Sequence, residues 1–391
     1  MRVACVRIKN FRSIQQLDWS LEGSFCCVVG VGDAGKSTVL LALEKALSPR
    51  WNEQFNDVDF HGASTAKPIE IEVDIADLPP TLLSDEVFGL WIRSHSGGEH
   101  DEPANIKDAL ITVRLVVEES LEPVWTIVND REPHGRRLSN RERQRFHMLR
   151  LGEGEARHLA WGRGSALAEL GSEGGEVQAS LSEATRAARN SVDPKKLKKL
   201  SGVAKKAETL FGNLGLEFES GLVPHLDSTQ SWGGLALHDG PIPLKNAGTG
   251  TVRLASLGLQ LELAKSGGVT LIDEVEHGLD PHRLRRLLGA LREASQLGTV
   301  IVTTHSPVAV QEVGVENLRV LLPGAKHEVR APSSKLHYIV RKDPEAFLGQ
   351  AALVCEGTTE IGFVRGLSDV WGKDGQGLAN GGTSLEHAHA S

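Results

Sequence analysis

An α/β nucleotide-binding fold, split by a long insertion, is predicted by three observations. Residues 30–37 read Gly-Val-Gly-Asp-Ala-Gly-Lys-Ser, a complete G-x-x-x-x-G-K-S loop between the apolar run at 25–29 and a helix-like stretch at 38–47. The apolar run 269–272 ends in two adjacent acids, Asp273 and Glu274. The two halves lie 237 positions apart from Lys36 to Asp273, far beyond the short crossover that joins neighbouring strands of a simple nucleotide fold.

The chemistry of the loop dictates its residues. Gly30, Gly32 and Gly35 let the backbone curl so that successive N–H groups point at phosphate oxygens, and the helix that follows offers its positive end. Lys36 is placed to reach the β and γ phosphates, Ser37 to hold Mg²⁺, and Thr38 follows in the nucleotide-binding run. ATP and Mg²⁺ are the expected ligands. A glycine-rich strand-to-helix turn with an exposed lysine is the plain structural alternative.

At 391 residues, with 40% hydrophobic and 24% charged content, the chain has room for two or three ordinary globular domains. No run of eighteen apolar residues occurs, and Met1 to Val6 leads into Arg7 and Lys9 rather than a signal-peptide core. A cytoplasmic location with no membrane partner is expected. Cys5, Cys26, Cys27 and Cys355 lack C-x-x-C spacing and sit in apolar runs, as buried reduced thiols do. The histidines lack ligand spacing, so no structural metal is expected.

A net charge of −8 does not advertise nucleic-acid binding. Two basic clusters stand out within it: Arg136, Arg137, Arg141, Arg143 and Arg145, and separately Lys195, Lys196, Lys198, Lys199, Lys205 and Lys206. Such runs are most often solvated helix faces.

Taken in order, residues 2–8 read as a strand, and a second extended stretch leads into the phosphate loop. Residues 68–75 alternate apolar and acidic, which predicts a strand with one wet face, and 109–117 and 122–128 are again extended. Together they predict an antiparallel β lobe. Residues 176–215 place Leu181, Ala184, Leu197, Leu200, Ala204, Ala207 and Phe211 at helical spacing, with Pro194 dividing two helices of an arm suited to dimerisation. A helix at 249–265 should carry Leu254, Leu257, Leu261 and Ala264 on one face. Asp280 should cap a helix that has Pro281 in its first turn, and the buried strand 299–304 should end at His305.

Asp273 is suited to holding Mg²⁺ through water, and Glu274 to polarising the attacking water. With Glu276 to Pro281 and His305 following, this constellation resembles the ATP-binding-cassette ATPases of the SMC and RecF type. The resemblance implies two heads sandwiching ATP, Asp280 in the D-loop and His305 as the switch histidine at the γ-phosphate. In the same reading the glycine-rich helix start Gly248, Thr249 and Gly250 would present N–H groups to the nucleotide of a partner head.

His238-Asp239-Gly240, Pro243-Leu244, the run 248–254, Ile8 to Ile14 and Trp161 to Ser165 resemble the OLD (overcoming lysogenization defect) nucleases over nearly the whole chain. Residues 351–360 resemble the first strand and turn of a Toprim domain, which implies metal-dependent DNA cleavage with Glu356 and Glu360 facing Mg²⁺. A Toprim site also needs a later D-x-D pair, and none follows; the end of the chain reads as a loose tail.

The resulting expectation is an ABC-type head ATPase. Residues 1–175 form its first half with the β lobe, 176–215 the arm, 216–345 its second half, and 346–391 an incomplete Toprim-like segment. It is expected to homodimerise on ATP, to bind DNA, and to hydrolyse ATP slowly without cutting DNA alone. Truncation is the favoured account of the missing nuclease, with a separate or downstream nuclease polypeptide as another. The alternative is a RecF- or SMC-like nucleotide-gated DNA clamp without nuclease activity. A transporter cassette is disfavoured by the absence of L-S-G-G-Q.

Overall fold

Alternation of apolar and charged residues in the N-terminal third produces an antiparallel sheet. The elements there are β1 (Arg2–Phe11), β2 (Ile14–Ser20), β3 (Phe25–Val29), α1 (Lys36–Leu47), β4 (Ile69–Ala76), β5 (Arg93–Ser94), β6 (Ala109–Val117), β7 (Pro123–Val128), β8 (Arg136–Arg137) and α2 (Asn140–Gln144). The sheet order is β2-β1-β4-β6-β7-β8, with β5 paired to β6. The computed structural model describes residues 1–50, 52–84, 87–94, 103, 108–151, 155–162, 165–171, 198–227, 234–265, 267–372 and 383–387. Two units are resolved, one of Met1–Phe146, Asp273–Val275 and Ile301–Ser391, the other of His147–Ile272 and Glu276–Val300.

Of the acids of β4, Glu70 stays partly exposed as the alternation predicts, whereas Glu72 and Asp74 are drawn into a largely covered charge cluster. Register sets Arg7 of β1 and Arg114 of β6 on either side of Glu72. Arg7 donates through Nε to Glu72 at 2.8 Å and holds Asp74 in a fork at 2.7 and 2.8 Å, while Arg114 Nε meets Glu72 at 2.6 Å. Burial raises the Glu72 carboxyl's pKa, and the hydrogen bonds and charge of the two arginines more than reverse this, leaving it below the usual range. Cys5 also departs from expectation: it is half-buried, because its thiol lies on this charged side beside Asp18 and Arg7. Cys26, Cys27 and Cys355 are buried, and none of them is in a disulfide.

The second unit contains β9 (Met148–Leu151), α3 (Glu155–His158), α4 (Ala166–Leu170), α5 (Lys198–Asn213), β10 (Leu222–Asp227), β11 (Gly234–Asp239), β12 (Ile242–Pro243), α6 (Thr249–Ala264), β13 (Val269–Ile272) and α7 (Pro281–Ala294). β13 pairs in parallel with β9, and β10, β11 and β12 form an antiparallel sheet. α6 is not the one-faced helix its leucine spacing predicts; residues 252–261 are buried all round, with α3, α4 and α5 packed on it. Of the expected arm, α5 is helical, and residues 172–197 lie outside the described residues.

The chain then continues through β14 (Thr299–Thr303), α8 (Pro307–Val313), β15 (Leu318–Leu322), β16 (Glu328–Arg330), α9 (His337–Lys342), β17 (Ala351–Cys355), α10 (Thr358–Gly372) and β18 (Thr383–His387). β3 is buried at every residue and lies between β15, its parallel partner, and β14, as a central strand covered on both faces requires. β17 and β18 pair in parallel, Ala351 opposite Thr383 and Cys355 opposite His387. The expected loose tail therefore contains a strand, which the sequence concealed because Leu385 is its one strongly apolar residue. β17 differs too: four of its five residues are exposed, so Glu356 does not end a buried strand. Among the described residues no helix is long and apolar enough to cross a membrane.

Candidate functional site

The phosphate loop leaves buried β3 and enters α1 through Gly35, whose φ of 95° is in the left-handed region that favours glycine. The N-cap residue is this glycine, so the first turn of α1 starts with no capping side chain of its own. Lys36 is buried and donates to the carbonyls of Gly30 and Val31, both at 2.9 Å. Its ammonium is thereby anchored over the loop rather than extended into solvent.

Ser37 Oγ donates to Asp273 Oδ1 at 3.0 Å, bringing together residues 236 positions apart within one unit. Thr303, the last residue of β14, donates its hydroxyl to the same Oδ1 at 2.6 Å and accepts the Glu274 N–H at 2.8 Å. The Thr303 carbonyl also accepts the Val275 N–H at 3.0 Å. The acidic pair is thus pinned to β14 on both sides of the turn. Glu274 is exposed and has a φ of 46°, a left-handed conformation that costs a non-glycine residue about 1–2 kcal/mol. His305 follows β14 by two residues and is exposed in the same unit. Thr303 was not singled out by sequence reasoning, although a hydroxyl ending an apolar strand just before that histidine was a visible signal.

A second feature missed by sequence reasoning is the β1–β2 turn. Ser13 Oγ lies 3.1 Å from Thr38 Oγ1, joining the turn to the start of α1. Arg12 has a φ of 49° and is held there by three contacts: its N–H to Asp59 O at 2.8 Å, its Nε to Asp59 Oδ1 at 2.8 Å, and His61 Nδ1 against its carbonyl at 2.8 Å.

The opposite end of α1 is closed by the β lobe. Arg143, one of the supposed surface cluster, is 1% exposed; its guanidinium stacks 3.7 Å from the Trp125 ring and donates to the carbonyls of Ser48 and Arg50 and to Asn140 Oδ1. Trp125 Nε1 donates to Lys45 O at 3.0 Å. Burial lowers the Arg143 pKa to about 10, partly offset by Glu53. The arginine cluster is therefore not one continuous cationic surface, since Arg143 is buried against the carbonyls at the end of α1.

In the second unit, Gly248 is the N-cap of α6, and Gly250 packs against the Gly278 carbonyl so closely that an added Cβ would lie 2.5 Å from that oxygen. Asp280 caps α7, accepting from His282 N and Arg283 N at 3.0 Å each. Gly248, Thr249, Gly250 and Asp280 are thus gathered around one junction. Glu356 and Glu360 are both exposed where β17 meets α10, and Glu360 Oε2 lies 3.1 Å from the position a Gly357 Cβ would take.

The first unit's donor set fits a Mg²⁺-triphosphate: a glycine-led helix start, a buried ammonium, and a hydroxyl beside a carboxylate. Ser37 and Asp273 are suited to the cation, and Lys36 and the 30–37 backbone to the phosphates.

Residues 126–311 match a family model described as "AAA domain, putative AbiEii toxin, Type IV TA system", a span that leaves the 30–37 loop outside it. No curated protein matches by sequence. Among solved structures, an Smc head bound to the C-winged helix domain of ScpA has a TM-score of 0.53 at 15% identity, covering 86% of this chain and 99% of that one. The Smc head domain with an extended coiled coil, bound to the ScpA C-terminal domain derived from Pyrococcus furiosus, has a TM-score of 0.52 at 14% identity, covering 88% and 99%. The span 126–311 is thus similar to an AAA domain, and the whole chain has an α/β fold similar to that of the SMC heads.

Proposed function

We propose that this chain is the ATP-hydrolysing head of an OLD-like DNA-processing system. The observation that carries the reading is the 3.0 Å contact of Ser37 with Asp273, which makes one phosphate-facing site from two distant sequence motifs. Bound Mg²⁺-ATP supplies the electrophilic γ-phosphorus and the charge-neutralising cation. Lys36 and the loop N–H groups orient the phosphates, Asp273 holds its place through Ser37 and Thr303, and Glu274 takes the proton of the attacking water. His305 orients the γ-phosphate side. Gly248, Thr249, Gly250 and Asp280 serve the nucleotide of a second copy, so ATP drives homodimerisation and that state is coupled to DNA. Glu356 and Glu360 belong to the nuclease part and work with further catalytic residues.

The test separates binding from turnover. Lys36→Ala abolishes nucleotide binding, whereas Glu274→Gln keeps binding and loses hydrolysis, read by nucleotide affinity and phosphate release. Equal turnover by Glu274→Gln removes that residue from the mechanism. A second reading, a nucleotide-gated DNA clamp without nuclease, is favoured by the fold similarity to SMC heads. DNA affinity that changes with ATP, without cleavage in Mg²⁺ or Mn²⁺, selects it.

A further inference from the structure

We infer that the outer face of α5 is a duplex-DNA backbone contact, an inference that rests on the DNA part of the reading above. Lys198, Lys199, Lys205 and Lys206 are all exposed on this helix, with exposed Gly202 and Thr209 among them. The apolar side of α5, Leu200, Ala204, Ala207 and Phe211, is buried. The helix contains one acid, Glu208, which is half-buried with its carboxylate 3.4 Å from the position a Gly221 Cβ would take. No acid of the helix stands within the lysine face. In a chain of net charge −8, four lysines gathered this way are a local reversal of sign.

The spacing suits a duplex. Lys198 and Lys205, like Lys199 and Lys206, are seven residues apart, or about 10 Å along the axis, close to the roughly 12 Å width of the major groove. One lysine pair can therefore meet phosphates of each strand. Lysine is a point charge suited to sequence-independent backbone contact. The face has no exposed aromatic ring on which single-stranded bases could stack. Membrane-surface binding would need an available apolar side, and that of α5 is buried in the protein.

The test is a salt titration of binding to a mixed-sequence 30-base-pair duplex, followed by fluorescence anisotropy for the full chain and for the variant with all four lysines replaced by Ala. Loss of four phosphate contacts should lower the slope of log K against log salt by about 3.5 and weaken binding on the order of a hundredfold at low salt. A variant with all four replaced by Arg should bind like the unaltered chain, and ATP affinity should be equal in all three. If the Ala variant keeps the original slope and affinity, α5 is not the contact and the DNA reading survives. No duplex binding by the unaltered chain, or tighter binding to phosphatidylserine vesicles than to duplex, overturns the DNA reading together with this inference.

Discussion

Thr303 holds Asp273 in place: its hydroxyl donates to the carboxylate at 2.6 Å while accepting the N–H of the next residue, Glu274, at 2.8 Å. One side chain at the end of β14 thus orients both acids. Replacing Thr303 with Val preserves shape and removes both bonds. Hydrolysis should fall by about 10- to 100-fold, the usual cost of losing an orienting partner, while nucleotide affinity changes far less. Thr303→Ser should restore turnover. Parallel losses of affinity and turnover in the Val variant would instead indicate that the loop itself had collapsed.

Glu274 combines the carboxylate proposed to take the water proton with an unfavourable backbone conformation, a φ of 46°. Glu274→Gly should relieve that strain and raise stability by about 1 kcal/mol while eliminating hydrolysis. Glu274→Gln should eliminate hydrolysis with unchanged stability. Chemical denaturation of both proteins distinguishes the backbone effect from the carboxylate effect.

Arg143→Ala leaves the carbonyls of Ser48 and Arg50 without their guanidinium and opens space beside Trp125. A loss of about 3 kcal/mol is expected. Arg143→Lys should recover only part of it, because an ammonium can neither fork between carbonyls nor stack as a plane. Full recovery by Lys, measured as denaturation midpoint, would reduce the residue to a point charge.

His158 in α3 should make the protein acid-sensitive. Burial, then the neighbouring Arg157, lowers its pKa from 6.5 to about 4. The Ala166 N–H points at Nδ1 at 3.1 Å and Arg157 Nε lies 3.2 Å from Nε2, so a protonated ring meets donors on both sides. Between pH 6.5 and 4 the unfolded chain binds the proton and the folded chain does not, so stability declines as pH falls through that window. His158→Gln should flatten this part of the Tm profile between pH 7.5 and 5. An unchanged slope would assign the acid sensitivity to other groups.

The parts of the site that were legible in the sequence are those whose chemistry is local. The 30–37 loop, the Asp273–Glu274 pair and the Asp280 cap each depend on residue type at fixed spacing. What was hidden depends on long-range placement. Arg143 looks like its surface neighbours until Trp125 and the end of α1 surround it, and Thr303 is one more β-branched residue in a buried strand. The acids of β4 resemble a solvent-facing row because the sequence does not announce that Arg7 and Arg114 will flank them.

α1 is fastened at both ends. The phosphate loop and the Ser13–Thr38 contact fix its start, and Trp125 and Arg143 of the β lobe grip its last carbonyls and those just beyond. A twelve-residue helix is a stiff rod about 18 Å long that cannot shorten appreciably without breaking its own hydrogen bonds. The helix therefore cannot absorb a displacement along its own axis, and it holds the phosphate loop and the carbonyls gripped by Trp125 and Arg143 at a fixed separation.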